Sequence, residues 1–466
     1  MERAVTWHAE LAWLGGDREH VDEGVAIVTE GERITAVEVG VSAPAAAARL
    51  RGLVLPALAN AHSHAFHRAL RGRAEGDGDG DGAGDFWSWR ERMYALAARL
   101  EPDSYHDLAR AVYGEMALAG VAAVGEFHYL HHPPGGGRYA DPNAFGHALL
   151  GAAAAAGVRL TLLDTCYLQA DVDGRPLEGV QMRFGDGSAG AWAERVEALR
   201  AGEAGAAGHP AARVGAAIHS VRAVPPAAMA AVAAWTGERG LPLHLHLSEQ
   251  RRENEACLAV TGHTPAELCA AAGVLGERTT AVHATHPEPG DVGLLGRSGT
   301  TVCLCPTTER DLADGIGPAR RLADAGCPLA LGSDSHAVVD LFEEARAVEL
   351  DERLASGQRG RHRPADLLRA ATHGSMRSLG WDAGVIEPGR LADLMALRLD
   401  SPRLAGAARE HLLPAVVFAA AAADVTDLVV GGRRVVAGGR HLLVTDVPGA
   451  LAKGIRRLGR LGRLGP

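Results

Sequence analysis

Lysine is almost absent from this sequence of 466 residues: the only one, Lys453, lies near the C-terminus, although lysine and arginine together number 47. A Schiff-base enzyme, a phosphate-binding P-loop and a metal pair bridged by a carbamylated lysine each need a lysine in the folded core. The sequence therefore disfavours all three chemistries.

Paired cysteines, long apolar runs and an excess of positive charge are also missing. The six cysteines include no Cys-x-x-Cys pair, which argues against a zinc ribbon and a disulfide framework. No apolar run approaches the ~20 residues of a membrane span, and Met1 to Trp7 lack the features of an export signal. A net charge of −10 disfavours a nucleic-acid or anionic-membrane partner. We therefore expect a cytoplasmic protein with neither partner.

The length suits one large domain and a smaller one, and the hydrophobic content of 47% is ordinary for a globular protein. Short alternating strands are predicted near both ends of the chain, at 25–28, 33–39, 392–397 and 427–432. We predict a composite β-sandwich domain of residues 1–54 and 385–445 around a domain of residues 55–384. A basic tail, 446–466, follows, and we expect 456–463 to be frayed.

Between these flanks, apolar strand-like runs alternate with alanine-rich helical stretches. The runs lie at 52–59, 121–125, 159–165, 214–218, 242–247, 280–283, 301–305 and 328–331. The predicted helices include 102–119, 190–204, 225–239, 253–272, 340–356 and 364–379. Eight buried strands with intervening helices are typical of an α/β fold of the distorted (β/α)8, TIM-type barrel class. A doubly wound open sheet is the alternative, but no Gly-x-Gly-x-x-Gly motif follows a strand.

An acidic segment rich in glycine and aspartate occupies residues 75–85. A calcium loop that began at Asp77 would have Ser88 at its twelfth position instead of a bidentate glutamate. We therefore predict a flexible loop beside the functional site, not a calcium site.

Metal-binding potential starts with His62 and His64, which end the first predicted barrel strand. Residues two apart in a strand point to the same face, and two adjacent imidazoles suit a divalent metal. A His-x-His pair alone recurs by chance in a chain with 22 histidines. The interpretation therefore depends on the later strands.

Further polar side chains follow other predicted strands, at the carboxyl ends where active sites of α/β barrels lie. These stretches are 126–129, 219–222, 244–249, 283–286 and 332–336. A catalytic zinc takes three or four protein ligands and keeps one position open. Asp334 and one of His244 and His246 would complete the set, and spacing alone leaves that choice open. Asp334 could accept a proton from the bound water, Glu249 could carry one to the leaving group, and His283 could orient the nucleophile.

The motifs His62-Ser63-His64, His246-x-x-Glu249, His283 and Ser333-Asp334 resemble those of the mononuclear-metal deaminase branch of the amidohydrolase superfamily. The resemblance covers essentially the whole chain. It implies His246 as the third histidine ligand, with His244 packed in its strand. It also implies a homodimer with one metal ion in each subunit, Zn²⁺ or alternatively Fe²⁺ or Mn²⁺.

Within that branch, longer stretches resemble the N-formimidoyl-L-glutamate deiminases of histidine degradation. They lie at 60–66, 87–94, 125–132, 219–224, 244–250 and 305–309. The implied reaction is hydrolysis of the formimino C=N bond to N-formyl-L-glutamate and ammonia. Asp334 and His283 would activate the water, and Glu249 would protonate the departing nitrogen.

The substrate of that reaction is a small dicarboxylate, and guanidinium groups grip carboxylates in a bidentate manner. Arg90 and Arg222 lie in the matched stretches, with Tyr129 and His219 as their predicted hydrogen-bonding companions. His67 stands where the family usually has glutamine. Since a neutral imidazole cannot both donate and accept at one end, as an amide does, we expect an altered rate or selectivity.

Two other functions stay open. The first is a related deaminase or chlorohydrolase that acts on a heteroaromatic or cyclic amidine substrate, although the aromatic content of only 4% weakly disfavours a purine site. The second is a metal-binding scaffold without catalysis. Glu249 and His283 argue against the scaffold, because metal retention alone requires neither of them.

Overall fold

The computed structural model describes residues 4–74, 84–205 and 211–459. Within them the strands are β1 Val5–Ala12, β2 Asp22–Glu30, β3 Arg33–Glu38, β4 Ala48–Pro56, β5 Leu58–Ser63, β6 Val121–His128, β7 Arg159–Cys166, β8 Ala212–Ile218, β9 Leu243–Leu247, β10 Thr279–His283, β11 Thr301–Leu304, β12 Leu329–Leu331, β13 Leu394–Leu397, β14 Val425–Val430, β15 Arg433–Ala437 and β16 Arg440–His441.

The α-helices are α1 Phe86–Ala97, α2 Pro102–Leu118, α3 Ala144–Ala156, α4 Ala189–Gly205, α5 Pro226–Arg239, α6 Arg251–Thr261, α7 Pro265–Ala271, α8 Pro289–Ser298, α9 Pro306–Asp311, α10 Ala319–Asp324, α11 Leu341–Ser356, α12 Pro364–Arg369, α13 Ser375–Ser378, α14 Leu412–Ala419 and α15 Val447–Arg457. A π-helical turn, Ala370–Gly374, joins α12 to α13, and short 3₁₀-helices lie at Ala65–Leu70, Gly179–Arg183, Arg409–His411 and Ala422–Asp424.

Strands β5 to β12 form a parallel sheet in chain order, with helices in the connections between successive strands. The sheet closes between its first and last strands, where the backbone N–H of Asp334 donates to the carbonyl of His62 at 3.0 Å. Gly332 permits this approach, because a Cβ there would lie 2.8 Å from that of His62. The predicted (β/α)8 barrel is confirmed.

All eight predicted barrel runs contain strands, but the bounds of one run and of one predicted helix were wrong. The run 52–59 is divided at Ala57: β4 belongs to a second sheet, and β5 begins the barrel. The predicted helix 253–272 is two helices, α6 and α7, because Gly262 takes a left-handed φ of +73° after α6. Helices α1, α3, α8, α9 and α10, which also lie between barrel strands, were not among the predicted helices.

The second sheet combines both ends of the chain, in the order β16-β15-β14-β13-β4-β1-β2-β3. It is mixed, since β1 and β4 run parallel and the other pairs antiparallel. Alternate residues of β13 serve two cores: Leu394 and Ala396 pack in the sheet's own apolar core, and Met395 and Leu397 pack in the barrel core. The predicted composite β domain is present, and its residue boundaries stay a prediction.

The predicted tail differs from expectation over its first part. Helix α15 packs on α2, with Val447 and Leu451 buried on one face. The Asp446 carboxylate caps the helix by accepting from the backbone N–H of Gly449 at 2.9 Å. Arg456 and Arg457 are therefore helical instead of frayed, whereas 460–466 lies outside the described residues. Most of the acidic segment, 75–83, also lies outside them.

The barrel, its helices and the inner face of the second sheet share one large apolar core. The six cysteines are buried and unpaired. Among the described residues, no helix has both the length and the apolar character needed to cross a membrane.

A buried ion pair joins the barrel to the second sheet. Arg159, at the start of β7, donates from Nε to Oδ2 of Asp393 at 2.9 Å and from Nη2 to Oδ1 at 3.2 Å. Its Nη1 also donates to Glu32 at 3.2 Å. Both Arg159 and Asp393 are almost fully buried. Water therefore cannot solvate one of these charges if the other is removed.

We expect Asp393→Ala to lower the free energy of unfolding by about 3–5 kcal/mol, because it removes the bidentate partner of the buried Arg159 guanidinium and leaves only the contact with Glu32. Urea denaturation followed by circular dichroism measures this loss. Asp400→Asn is the control: its ion pair with Arg398 is exposed, and its urea midpoint should not change. Equal effects of the two substitutions would contradict the proposed role of burial.

Candidate active site

Four side chains meet at the carboxyl end of the barrel. His62 and His64 come from the end of β5, His246 from β9 and Asp334 from the segment after β12, and all four are buried. One ligand atom of each lies within 4.8 Å of the others. Asp334 Oδ1 is 3.3 Å from His62 Nε2 and 3.4 Å from His64 Nε2. These are the four residues predicted as metal ligands.

The outer hydrogen bonds of the rings determine which nitrogens face this cluster. His64 Nδ1 lies 3.0 Å from the carbonyl oxygen of Phe127, and His246 Nδ1 lies 2.9 Å from that of His219. A carbonyl only accepts, so each Nδ1 carries the proton and each Nε2 keeps a free lone pair. Burial, together with neighbouring imidazoles, holds the pKa of His64 and of His246 well below the usual value. Both rings are therefore neutral, as metal ligands must be.

The separation of His62 Nε2 and His246 Nε2 indicates whether one metal ion could bind both nitrogens. They are 3.1 Å apart, close to the ~3.3 Å separation of two nitrogens that bind one tetrahedral zinc at ~2.0–2.1 Å. At this distance the two nitrogens either share a proton in a hydrogen bond or bind a common cation. Three imidazoles and one carboxylate therefore fit a divalent transition-metal ion.

A buried polar pair holds the two ligand-bearing segments together. The side-chain amide of Asn60 donates to Ser333 Oγ at 2.7 Å, and its carbonyl oxygen accepts from the backbone N–H of Ser333 at 2.9 Å. Glu126 fixes the chain beyond the first histidines, since it accepts from Ser63 Oγ at 2.8 Å and from the backbone N–H of Ala65 at 2.7 Å. Burial raises the pKa of Glu126 to about 7.

Unusual backbone conformations occur at the same strand ends. Ser248, His283 and Asp334 have left-handed φ values of +50°, +71° and +41°. Such conformations cost energy for residues with a side chain, and they cluster at functional sites. Here they turn His283 and Asp334 toward the centre of the barrel mouth.

The predicted catalytic residues lie beside the ligand cluster. His283 Nε2 is 3.5 Å from Glu249 Oε1 and 3.7 Å from Asp334 Oδ2, and its Nδ1 is 3.3 Å from Glu309. Burial raises the pKa of Glu249 to about 7. Burial alone would lower the pKa of His283, but the three carboxylates raise it well above the usual value. The site can therefore hold protons near neutral pH.

A cavity opens onto the ligand cluster. The predicted substrate-binding residues all line it: His67, Arg90, Tyr129, His219 and Arg222. His67 Nε2 is hydrogen-bonded to the Tyr129 hydroxyl at 3.0 Å, and burial lowers the pKa of His67 to about 3. Their contacts with a substrate stay predictions.

The two arginines have different surroundings. Arg90 stacks over Trp87, with 4.5 Å from its guanidinium carbon to the ring centroid, and its Nε has no hydrogen-bond partner. Arg222 is buried between two carboxylates, with Nη2 3.7 Å from Glu249 and Nε 3.8 Å from Glu253. Both guanidinium groups therefore keep donors available to a ligand.

Sequence reasoning missed three acidic groups of this site: Glu253, Glu309 and Asp314. Glu253 lies one helical turn after Glu249, which is a signal that could have been used. Glu309 lies in the stretch 305–309, which resembles the family, but no role was predicted for it. Asp314 follows α9 in an irregular segment, where no periodicity predicts its position. Six aromatic residues also line the cavity, despite their scarcity in the sequence: Phe86, Trp89, Tyr94, Tyr129, Tyr167 and Phe184.

The chain is similar to several known proteins. The sequence profile of the Amidohydrolase family matches residues 53–435. A formimidoylglutamate deiminase of Pseudomonas aeruginosa is 41% identical over 402 residues, which are 85% of this chain and 87% of that protein. The crystal structure of an amidohydrolase from Brucella melitensis superposes with a TM-score of 0.89 at 32% identity, covering 97% of this chain and 99% of that one. A zinc-bound adenosine deaminase of Xanthomonas campestris shares the fold, with a TM-score of 0.83 at 22% identity over 98% of each chain.

We expect His246→Ala to weaken metal binding by more than ~100-fold. Loss of a residue that only hydrogen-bonds to a metal ligand already lowers metal affinity by ~10–100-fold, and His246 is itself a predicted ligand. Metal content after dialysis, measured by mass spectrometry, checks this result. The matched control is His244→Gln on the same strand. His244 Nε2 lies 3.0 Å from the carbonyl oxygen of Ser378, away from the cluster, so this variant should keep its metal. If only the His244→Gln protein lost its metal, His244 would be the ligand and His246 the packed strand residue.

Proposed function

Because this chain belongs to the amidohydrolase family, we propose that it hydrolyses N-formimidoyl-L-glutamate to N-formyl-L-glutamate and ammonia. The observation that carries the proposal is a cavity with two arginines on its wall and a four-ligand cluster at its base. The relative that is 41% identical bears the name of this activity. Such an enzyme would serve histidine degradation in the cytoplasm, as a homodimer.

The two arginines match the two carboxylates of the substrate. Arg222 and Arg90 each have hydrogen-bond donors without a partner among the described residues. A carboxylate that binds a buried guanidinium replaces lost hydration with charge-assisted hydrogen bonds. The neutral His219 and the Tyr129 hydroxyl lie on the same cavity wall and would complete the hydrogen bonding of the glutamate part.

We assign one Zn²⁺ to His62, His64, His246 and Asp334, and the same ligands also accept Fe²⁺ or Mn²⁺. When bound, such an ion lowers the pKa of a coordinated water to about 7 and so makes hydroxide available at neutral pH.

Protons are moved by side chains of the chain itself. Asp334 directs Oδ1 toward the histidine ligands and Oδ2 toward His283, so Oδ2 is free to accept a proton from the attacking water. The protonated His283 polarises the reacting centre. Glu249, whose pKa of about 7 lets it hold a proton, donates to the departing nitrogen. Glu309 keeps the His283 ring in position by accepting from Nδ1.

A second candidate function is deamination of a heteroaromatic or cyclic amidine substrate. The observation that favours it is the six aromatic side chains on the cavity wall, because a planar ring can stack on them. Arg90 and Arg222 favour the dicarboxylate. They would contribute little to the binding of an uncharged ring.

The direct test supplies metal-loaded protein with N-formimidoyl-L-glutamate and measures the release of ammonia. We expect release from this compound and not from guanine or adenine. Arg222→Met should raise KM by ~10–100-fold, because a hydrogen bond to a charged group is worth ~1.5–3 kcal/mol. Turnover of a purine, with a KM unchanged in Arg222→Met, would favour the second candidate.

Glu249→Gln tests catalysis against a non-catalytic scaffold. The amide cannot donate a proton to the leaving nitrogen as the acid does, so kcat should fall by ~10²–10⁴-fold. The metal content should stay unchanged, because Glu249 is not among the four ligands. Equal ammonia release by the variant and the parent protein would exclude the role assigned to Glu249.

Glu253→Gln tests how Arg222 is held. Glu253 is buried, and neither carboxylate oxygen has a hydrogen-bond partner among the described residues, so its charge acts mainly on Arg222. We expect KM to rise by ~10-fold or more as Arg222 loses its orientation, with kcat changed little. Glu255→Gln, an exposed residue on the same helix, should leave both constants unchanged. A fall in kcat alone would contradict the positioning role.

A further inference from the structure

A second group of potential metal ligands lies next to the four-ligand cluster. Glu249, His283 and Asp314 each offer one ligand atom, and these three atoms lie within 4.8 Å of one another. All three residues are buried, with exposed fractions of 5%, 0% and 5%. We call them the acidic triad.

Two atoms of the acidic triad have no hydrogen-bond partner within the described part of the chain: His283 Nε2 and Asp314 Oδ2. The other polar atom of each of these side chains is engaged. His283 Nδ1 is hydrogen-bonded to Glu309, and Asp314 Oδ1 accepts from the Gln250 side-chain amide. The engaged atoms hold the two side chains in place beside Glu249, with one ligand atom of each of the three residues within 4.8 Å of the others.

The charges around this space favour a cation. Glu309 and Asp334 bring two further carboxylates to His283. Arg222 offsets part of this charge, but it contacts Oε2 of Glu249, whereas Oε1 of the same group faces His283 at 3.5 Å. Buried carboxylates are costly unless they are paired, and a divalent ion that displaced the Nε2 proton of His283 would neutralise two of them.

We propose that the acidic triad is a second divalent-cation site, with one nitrogen and two oxygen ligands suited to Zn²⁺. It has one ligand fewer than the four-ligand cluster and no lysine to bridge two ions, so it binds more weakly. An ion at this site occupies His283 Nε2 and Glu249 Oε1 and so displaces the protons that the proposed reaction assigns to these two residues. Excess metal therefore inhibits the enzyme. The inhibition rests on the proposed function, whereas the binding does not.

Equilibrium dialysis of the holoenzyme against increasing Zn²⁺ tests the binding. The parent protein should bind a second, weaker equivalent. Asp314→Asn retains an acceptor for Gln250 but removes the charged ligand, so its second equivalent should weaken by more than ~10-fold. Glu249→Gln should do the same, and Glu255→Gln should bind as the parent does. One equivalent in the parent protein, or two of equal affinity in every variant, would overturn the site.

Ammonia release at one and at several equivalents of Zn²⁺ tests the inhibition. Each variant is compared with its own rate at one equivalent, and Asp314→Asn should need more than ~10-fold more metal for the same fractional loss. Inhibition that is equal in Asp314→Asn and in the parent would overturn the blocking role. A second equivalent bound without any turnover of N-formimidoyl-L-glutamate would support the site and count against the proposed substrate.

Discussion

The structure depends on the meeting of three imidazoles and one carboxylate at one end of the barrel, where His62 Nε2 and His246 Nε2 lie 3.1 Å apart. His62 and His246 come from the first and the fifth strand of the barrel, so their approach requires the barrel to be closed and in register. A divalent cation bound to all four ligand atoms would replace the contact between these two nitrogens. Backbone carbonyls that accept from the Nδ1 atoms of His64 and His246 keep the rings in the metal-binding tautomer. The closed barrel therefore places the ligand atoms close enough together to bind a metal ion.

The support for this arrangement is polar. The pairing of Asn60 with Ser333 links the first and last strands below the ligands. Small side chains in the same region, including Ala61, Cys303 and Ala330, let the strands approach closely. The left-handed conformation of Asp334 is held by the backbone hydrogen bonds to the first strand. The same backbone hydrogen bonds therefore close the barrel and orient Asp334.

The sequence predicted the parts of this molecule that follow from local pattern. Apolar runs marked every barrel strand, and the rule that active sites lie at carboxyl strand ends brought forward His62, His64 and Asp334. Strand spacing could not separate His244 from His246, because both have the same alternation and only the family resemblance distinguished them. Asp314 escaped prediction because its place depends on a tertiary contact with Gln250. The division of 52–59 between two sheets likewise depends on pairing partners far away in the chain.

The cavity has a direction that follows from its charges. Arg222 stands between Glu249, the proposed proton donor, and the buried Glu253, so one guanidinium borders both the cavity wall that carries the arginines and the acidic side of the site. A substrate with carboxylates at one end and an amidine at the other would therefore orient itself, with its anionic end toward the arginines and its cationic end toward the carboxylates. An uncharged ring would feel little of this field. The aromatic walls exclude water and strengthen both attractions, which is why scarce aromatic residues are concentrated here.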